Sequence, residues 1–282
     1  MKPGVLAPAK LNLFLHVVGR RSDGYHLLQS AFALLDFGDT LQVRLREDGR
    51  ICRTSLLAGV AEEEDLVVRA ARLLQHESGV RFGADIAVEK RIPVGGGLGG
   101  GSSDAASTLL ALNQLWDVNI SRERLQDMAL SLGADVPFFV FGRNAWAEGV
   151  GESLQALDLP AWWYVVLTPS TQVPTAFVFS QPELTRNTIP LKIADFSASG
   201  LAGMHNDLQP IVMKAFPAVA SSVNALGAVS QKSIFGSRMT GSGACVFAAF
   251  EHERDARGAF QQLQPEHQGF VAQGLKKHPL GD

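Results

Sequence analysis

The stretch that decides the fold is PVGGGLGGGSSDAA, residues 93–106, in which six of the seven positions from 95 to 101 are glycine. It follows ADIAVEKRI at 84–92, whose alternating apolar positions predict a strand, and it precedes SSDAASTLLALNQLW at 102–116, typical of a buried helix. A flexible linker is disfavoured because no polar spacer separates the glycines from these elements. The start of a helix carries unpaired N–H groups and partial positive charge, so the loop is interpreted as an anion cradle for phosphate.

This loop alone does not identify the type of phosphate cradle. The Walker pattern is excluded because no lysine follows the glycines. Gly95, Gly97 and Gly100 do satisfy G-x-G-x-x-G, although a run of six glycines meets that pattern almost automatically. A dinucleotide-binding unit also needs an acidic residue at the end of a second strand, and Asp117 instead lies at the end of the same predicted helix. A nucleotide-dependent oxidoreductase therefore remains the alternative.

Composition limits the broad class of protein. The 282 residues include 46% hydrophobic and 19% charged residues and have a formal net charge of -3. This balance does not favour nucleic acid or a membrane surface as a partner. No apolar run approaches the roughly 18 residues of a membrane span, and the apolar N-terminus contains Lys10, Asn12 and His16, unlike a secretory signal.

Cysteine use points to a reducing compartment. Cys52 and Cys245 are the two cysteines of the chain, and they form no C-x-x-C motif. Disulfide scaffolds and structural zinc sites are therefore not expected. We expect a cytoplasmic protein, either a monomer or a weak homodimer.

The order of predicted elements favours an α+β protein with two units. Strands are predicted at 11–18 and 40–46 with a turn-rich segment between them, and helices at 65–78 and after the N-cap Ser121. Residues 206–226 look helical but are interrupted by Pro210 and Pro217. Because regular β-α-β alternation is missing, we expect two layered units rather than a doubly wound sheet, with domains at 1–155 and 156–282.

Three further segments carry polar residues that apolar patterning does not explain. PAKLNL at 8–13 places Lys10 and Asn12 on one face of an apolar strand, where simple solvent exposure is the ordinary explanation. LGADVPFFV at 132–140 places Asp135 just before an apolar run, and such an aspartate is most often a turn residue. MTGSGACVF at 239–247 is by itself only a tight turn between strands.

Taken together and in this order, the glycine loop and these segments resemble the GHMP kinase superfamily, which includes galactokinase and the homoserine, mevalonate and phosphomevalonate kinases. The resemblance implies the two-domain GHMP kinase fold, with the active site in the cleft between the domains. It also implies transfer of the ATP γ-phosphoryl group to an alcohol, with ATP and Mg²⁺ as cofactors. The helix start supplies a hydroxyl for the metal from Ser102 or Ser103, and the residues do not distinguish the two.

The resemblance also assigns the phosphate-transferring residues. Lys10 and Asp135 match the catalytic positions, Lys10 beside the transferred phosphoryl group and Asp135 as the base. The ATP-binding residues are those of the glycine loop and the helix start, namely Pro93, Val94, Gly95, Gly96, Gly97, Leu98, Gly99, Gly100, Gly101, Ser102 and Ser103.

Further segments, DGYH at 23–26 and AWAEGVGE at 145–152 among them, resemble a branch of the family whose small-molecule substrate carries a cytidine diphosphate group. Aromatic rings bind a pyrimidine by stacking. The resemblance therefore assigns substrate binding to Asn12, Tyr25, His26, Val150, Thr175 and Phe179.

Some points remain open. Phe179 is as readily a core residue, and Tyr25 and His26 are as readily loop surface. A kinase for homoserine or mevalonate is the nearest enzymatic alternative, and a non-catalytic RNA-binding or interaction module is a further one. Asp65 stands where relatives commonly have an asparagine that helps to bind adenine. An ionised aspartate accepts but does not donate hydrogen bonds, so this adenine contact is in doubt.

Overall fold

The computed structural model describes residues 4–55, 60–196 and 199–281, which form a mixed α/β architecture. The strands are β1 (Val5–Arg20), β2 (His26–Arg46), β3 (Ile51–Arg53), β4 (Gly83–Glu89), β5 (Ala145–Glu148), β6 (Ser153–Ala156), β7 (Trp163–Leu167), β8 (Ser237–Met239), β9 (Val246–Phe250) and β10 (Gly269–Leu275). The α-helices are α1 (Leu66–Ser78), α2 (Gly100–Leu115), α3 (Arg122–Leu130), α4 (Val136–Phe141), α5 (Thr175–Ser180), α6 (Gln209–Ala215), α7 (Pro217–Val229) and α8 (Glu253–Leu263).

One sheet connects the strands in the order β3-β4-β2-β10-β7-β9-β8, with β1 paired to β2 and β5 paired to both β2 and β6. Within the described residues, every strand pair is antiparallel except β3–β4. A dinucleotide-binding fold needs parallel strands joined by crossover helices. The described strands therefore do not form the dinucleotide-binding fold on which the oxidoreductase alternative was based, and the predicted α+β class is confirmed.

Apolar side chains pack into three clusters around this sheet. The first lies between α1–α4 and the β2–β4 part of the sheet and includes Leu109 and Phe138. The second lies between α6–α8 and the strands β7 and β9 and includes Val212. The third joins β1 and β2 to β7 and β9 through Phe14 and Phe247, among other residues. This third cluster holds the strand that carries Lys10 against the C-terminal half of the chain.

The first two strands differ from their prediction. A single strand, β2, runs from His26 to Arg46, whereas a separate strand was predicted only from residue 40. Strand β1 was predicted to be half-buried, yet every residue from Ala7 to Val17 is buried. The reason is that segments from the C-terminal half of the chain also contact β1, where the Leu15 N–H donates to the His205 carbonyl and the Asn12 N–H donates to Thr240 Oγ1. Long-range contacts of this kind are not visible in the local periodicity.

The helix ends largely follow the predicted signals. Asp65 caps α1 by accepting from the Val67 N–H, and Ser121 caps α3 by accepting from the Arg124 N–H. Pro210 lies in the first turn of α6 and Pro217 opens α7, which confirms the interruption predicted there. Helix α2 begins at Gly100, two residues earlier than predicted.

Among the described helices, none is by itself long and apolar enough to cross a bilayer. Helices α6 and α7 meet the length and composition criteria only when taken together, and they are bent by 119° relative to each other.

Candidate active site

The glycine loop connects β4 to α2 and is fixed by its backbone conformation and its packing. Gly97 and Gly99 have φ angles of 76° and 73°, in the left-handed region that other residues rarely adopt. A Cβ atom at Gly97 would overlap the carbonyl oxygen of Thr240, and one at Gly99 would lie 2.9 Å from the Phe139 ring. At these two positions the loop therefore requires glycine.

The loop leads into a helix start that suits an anion. Gly99, the residue before α2, has no side chain with which to cap the helix. The N–H groups of the first turn thus keep their capacity to bind an external acceptor, and the helix dipole adds positive potential there. This geometry is compatible with the phosphate cradle expected from the sequence.

Hydrogen bonds connect the glycine loop, the PAKLNL segment at 8–13 and the MTGSGACVF segment at 239–247. The Lys10 N–H donates to the Leu98 carbonyl at 3.0 Å, and the Cys245 N–H donates to the Gly96 carbonyl at 3.1 Å. From β1, the Asn12 N–H donates to Thr240 Oγ1 at 2.9 Å. The fold therefore brings together three segments that lie far apart in the sequence.

Lys10 lies at the centre of a polar group. Its Nζ donates to Asn12 Oδ1 at 2.6 Å and lies 3.4 Å from Asp135 Oδ2. The Lys10 side chain is 4% exposed, whereas that of Asp135 is 37% exposed. Asn12 Nδ2 donates in turn to Ser30 Oγ at 2.9 Å, which orients the amide oxygen toward the ammonium group. A buried cation next to an accessible carboxylate is suited to act on a bound polar substrate.

Asp135 owes its accessibility to its place just before α4. It occupies the N-cap position, but its side chain makes no capping hydrogen bond. Its carboxylate is therefore not engaged by the helix that positions it.

A cavity of about 730 Å³ opens beside this group. All eight predicted catalytic and substrate-binding residues line it: Lys10, Asn12, Tyr25, His26, Asp135, Val150, Thr175 and Phe179. Both halves of the chain contribute to the lining. A volume of this size suits a small-molecule ligand rather than a macromolecule.

The glycine loop only partly faces this cavity. Gly97 and Ser102 line it. Ser103 is fully buried, and its Oγ has no hydrogen-bond partner, whereas Val94 is 72% exposed. The predicted ATP-binding residues outside the lining are Pro93, Val94, Gly95, Gly96, Leu98, Gly99, Gly100, Gly101 and Ser103.

Aromatic rings stand elsewhere in the cavity wall. The rings of His26 and Phe179 have centroids 4.9 Å apart with an interplanar angle of 32°. Tyr25 is 64% exposed, so its ring is free to contact a ligand. Thr175 lies at the start of α5, and its hydroxyl is 2.8 Å from that of Ser242.

The pKa of His26 lies below its usual value. Burial is the largest cause, and the positive charges of Arg186 and Arg20 add to it. Each of these effects disfavours the charged imidazolium, so the ring is held neutral near pH 7.

Sequence reasoning missed several lining residues. Ser30 and Phe32 lie on β2, where Phe32 is paired in register with Asn12. The pairing of the first two strands would have indicated them. Ser242 lies within the quoted TGSGACVF segment, where its hydroxyl was not singled out.

Asp65 does not line this cavity, and both of its carboxylate oxygens are engaged elsewhere. Oδ1 accepts from the Val67 N–H at 3.0 Å, and Oδ2 accepts from Arg53 at 2.8 Å. The side chain is 8% exposed. Asp65 thus serves as a helix cap and as half of a buried ion pair.

In the part of the chain that the structure describes, no three or more His, Cys, Asp or Glu side chains are arranged to hold a metal ion. Close to the start of α2, the Ser102 hydroxyl and the Asp135 carboxylate offer oxygen donors, and both residues line the cavity. Hard oxygen donors of this kind, few in number, are what Mg²⁺ uses when phosphates and water complete its shell. The donor set therefore fits the ion.

Two family models match the chain. The model described as GHMP kinases N terminal domain matches residues 65–143, and the one described as GHMP kinases C terminal matches residues 193–267.

Curated relatives match nearly the whole chain. A protein of Thiobacillus denitrificans named 4-diphosphocytidyl-2-C-methyl-D-erythritol kinase is 60% identical over 277 residues, covering 98% of this chain and 96% of the relative. A protein of Nitrosospira multiformis with the same name is 57% identical over 279 residues, covering 98% and 92% respectively.

Solved structures agree with these matches. A crystal structure of 4-(cytidine 5'-diphospho)-2C-methyl-D-erythritol kinase superposes with a TM-score of 0.82 at 37% identity, covering 95% of this chain and 98% of the other. A homoserine kinase from Cytophaga hutchinsonii reaches 0.65 at 17% identity, covering 98% and 95%, which shows a shared fold alone.

Proposed function

The chain belongs to the GHMP kinase family, and we propose that it phosphorylates the 2-hydroxyl group of 4-diphosphocytidyl-2-C-methyl-D-erythritol with ATP, a step of the non-mevalonate pathway to isoprenoids. The observation that carries the proposal is a single cavity. One part of its wall holds the Lys10–Asp135 pair, and another holds the His26–Phe179 aromatic pair. The charged pair suits phosphoryl transfer, and the aromatic pair suits the binding of a pyrimidine ring.

Membership of a kinase family implies ATP as the phosphoryl donor. We assign the phosphates to the N-terminus of α2 and to the glycine loop, where N–H groups and the helix dipole favour negative charge. Mg²⁺ bound here would neutralise phosphate charge. We assign its protein ligand to Ser102 rather than Ser103, because Ser102 lines the cavity while Ser103 is fully buried.

Lys10 is assigned to the transferred phosphoryl group. Its hydrogen bond to Asn12 and its contact with Asp135 hold the ammonium group at the cavity wall. Because Lys10 is buried, its charge is screened less by solvent than that of a surface lysine. It would therefore stabilise the negative charge that develops during transfer.

Asp135 is assigned as the base that receives the hydroxyl proton. An alcohol is a far weaker acid than a carboxylic acid, so a carboxylate removes its proton before transfer only at a very large cost in free energy. Asp135 therefore orients the hydroxyl and accepts the proton late, as the bond to phosphorus forms.

The cytidine group is assigned to the aromatic part of the cavity. Tyr25 and Phe179 offer ring faces for stacking, and His26 offers backbone or ring polarity to the cytosine edge. Asn12, Val150 and Thr175 complete the proposed substrate contacts. This aromatic set favours the cytidyl substrate over homoserine or mevalonate, because those two substrates are smaller and have no base that could stack on the rings.

The test is an ATP-consumption assay with a panel of acceptors. The panel contains 4-diphosphocytidyl-2-C-methyl-D-erythritol, mevalonate, phosphomevalonate, homoserine and galactose. Turnover is expected with the first alone. Turnover of any other acceptor at a comparable kcat/KM would overturn the assignment.

Four further expectations from the sequence are part of the proposal: the domain boundaries, the compartment, the oligomeric state and the kinds of partner. The units 1–155 and 156–282 are proposed as the two domains that flank the cavity, to which residues from both contribute. The protein is proposed to act in the cytoplasm as a monomer or weak homodimer, without nucleic acid or membrane as a partner.

A further inference from the structure

Arg186 lies behind the aromatic part of the cavity without lining it. Its Nε–H donates to His26 Nε2 at 3.1 Å. Its Nη2 donates to the carbonyls of Phe179, at 3.2 Å, and Gln181, at 2.8 Å, and its Nη1 donates to that of Leu184 at 3.0 Å. One guanidinium group thus connects the first residue of β2 to the end of α5 and the turn after it.

The bond to His26 determines where the imidazole carries its proton. A guanidinium group only donates hydrogen bonds, so His26 Nε2 must accept. A neutral imidazole has one accepting nitrogen and one N–H, which places the proton on Nδ1. An imidazolium would turn a second N–H toward Arg186 and set two positive charges together.

The bonds to the carbonyls hold the backbone that carries the other ring. Phe179 is the penultimate residue of α5, a helix of six residues whose last carbonyls lack helical partners. Arg186 supplies donors to carbonyls in this region, and it is the same group that holds the His26 ring. Arg186 therefore restrains the His26 ring directly and the backbone that carries Phe179, whose ring also packs against the apolar cluster around Val212.

We propose that Arg186 is a positioning residue for pyrimidine recognition, which holds His26 in its neutral Nδ1–H form and locks the Phe179 ring against it. The identity of the ligand rests on the proposed function. The restraint that Arg186 places on the two rings follows from its hydrogen bonds and does not depend on the identity of the ligand.

The first experiment reads the His26 tautomer in the protein without substrate. Long-range ¹H–¹⁵N spectra of the imidazoles report which ring nitrogen is protonated, and loss of a signal in His26→Gln assigns His26. The wild type is expected to show protonated Nδ1 and unprotonated Nε2. In Arg186→Met the restraint is lost, and tautomer exchange should average the two nitrogen shifts.

The second experiment separates positioning from mere stability. Arg186→Met is expected to raise KM for the cytidyl substrate about tenfold, the effect of losing roughly one charge-assisted hydrogen bond, with KM for ATP and kcat within about twofold. Arg186→Lys keeps the charge but not the planar fork, so an intermediate KM is expected. Arg257→Met, at an exposed Arg257–Glu253 pair on α8, is the control and should match the wild type.

Several outcomes would overturn the proposal. These are a wild-type His26 protonated on Nε2, an unchanged tautomer in Arg186→Met, or equal rises in both KM values. If Arg186→Met does not fold, Arg186→Lys takes its place in the spectra. An unaltered His26 signal in that variant, together with a wild-type KM for the cytidyl substrate, would overturn the proposal. Absence of turnover with the cytidyl substrate in the wild type would instead defeat the proposed function, while the tautomer result would stand.

Discussion

The ammonium group of Lys10 lies 3.4 Å from the carboxylate of Asp135, with the lysine buried and the aspartate open to the cavity. This asymmetry matters for chemistry. The buried partner keeps a fixed position and a poorly screened charge, while the exposed partner is accessible to an incoming hydroxyl group. The pair is the basis for the first two predictions.

Asp135→Asn should reduce kcat by about 10²- to 10⁴-fold, the usual contribution of a general base. The amide keeps the shape of the carboxylate but does not accept a proton. Because Asp135 makes no capping hydrogen bond to α4, the thermal unfolding temperature should stay close to that of the wild type. A folded variant with near wild-type kcat would show that Asp135 is not the base.

Lys10→Ala should lower kcat strongly, because the charge that offsets the developing phosphoryl charge is lost. Steady-state kinetics for both substrates distinguish this from a binding role. An effect confined to KM would assign Lys10 to binding only. Arg21→Ala serves as the control, since its pair with Asp23 is about half exposed and Arg21 does not line the cavity.

Phe179→Ala should raise KM for the cytidyl substrate and leave KM for ATP unchanged. A stacked ring contributes roughly 1–3 kcal/mol per base, which corresponds to about 5- to 150-fold in affinity. Equal changes in the two KM values would refute the stacking role. Phe177→Ala is the control on the same helix, because Phe177 is exposed and does not line the cavity.

Gly97→Ala should weaken ATP binding and destabilise the fold. The added Cβ would meet the Thr240 carbonyl oxygen, and the residue would keep a positive φ. The cost is expected to exceed about 1 kcal/mol in unfolding free energy. Gly258→Ala in α8 is the matched control, since its Cβ would meet nothing within 4 Å. That change should stabilise the protein by about 0.5–1 kcal/mol.

His278 should make stability fall in mild acid. Its ring is buried, with Nε2 3.0 Å from Ser107 Oγ and Nδ1 accepting from the Leu280 N–H. Burial, with a smaller contribution from Arg122, lowers its pKa to about 4 from 6.5. Between these values the unfolded chain binds a proton that the native state does not, so stability is lost as pH falls from 6.5 toward 4.

The size of that effect can be measured with His278→Asn, which keeps an acceptor near the Leu280 N–H. Denaturant unfolding at pH 7 and pH 5 should show a loss about 2 kcal/mol smaller in the variant than in the wild type. The control His76→Asn changes an exposed side chain on α1 and should retain the wild-type loss. Equal losses in the wild type and His278→Asn would show that His278 does not carry the effect.

The sequence predicted the residues of the cavity better than it predicted the strands that hold them. Lys10, Asp135 and Phe179 were assigned by their motifs, and these residues do line one cavity. A motif is a short pattern of neighbouring residues, so it can be recognised in the sequence before the fold is known. Strand β2 was not predicted as one strand, because its start at His26 follows turn residues and is held by pairing with Arg20 across the hairpin.

Arg186 shows why some of the site was hidden. Its bonds go to the His26 ring, 160 positions earlier, and to backbone carbonyls, which every residue possesses. A contact of that kind leaves no sequence pattern. The same holds for Asp65, which caps its own helix and also pairs with the side chain of Arg53, 12 positions earlier in the sequence.

The position of β10 has a consequence for synthesis. This strand, Gly269–Leu275, pairs with β7 through Gly269–Gln273 and with Leu35 and Leu34 of β2 through Gly274 and Leu275, so it closes the middle of the sheet. On the ribosome, β2 and β7 emerge well before β10. Until then each presents an open edge, and the sheet is completed only when nearly the whole of this sequence has been translated. Folding of the two halves is thus coupled to a late event, and a nascent chain that stalls earlier exposes two edges prone to wrong pairing.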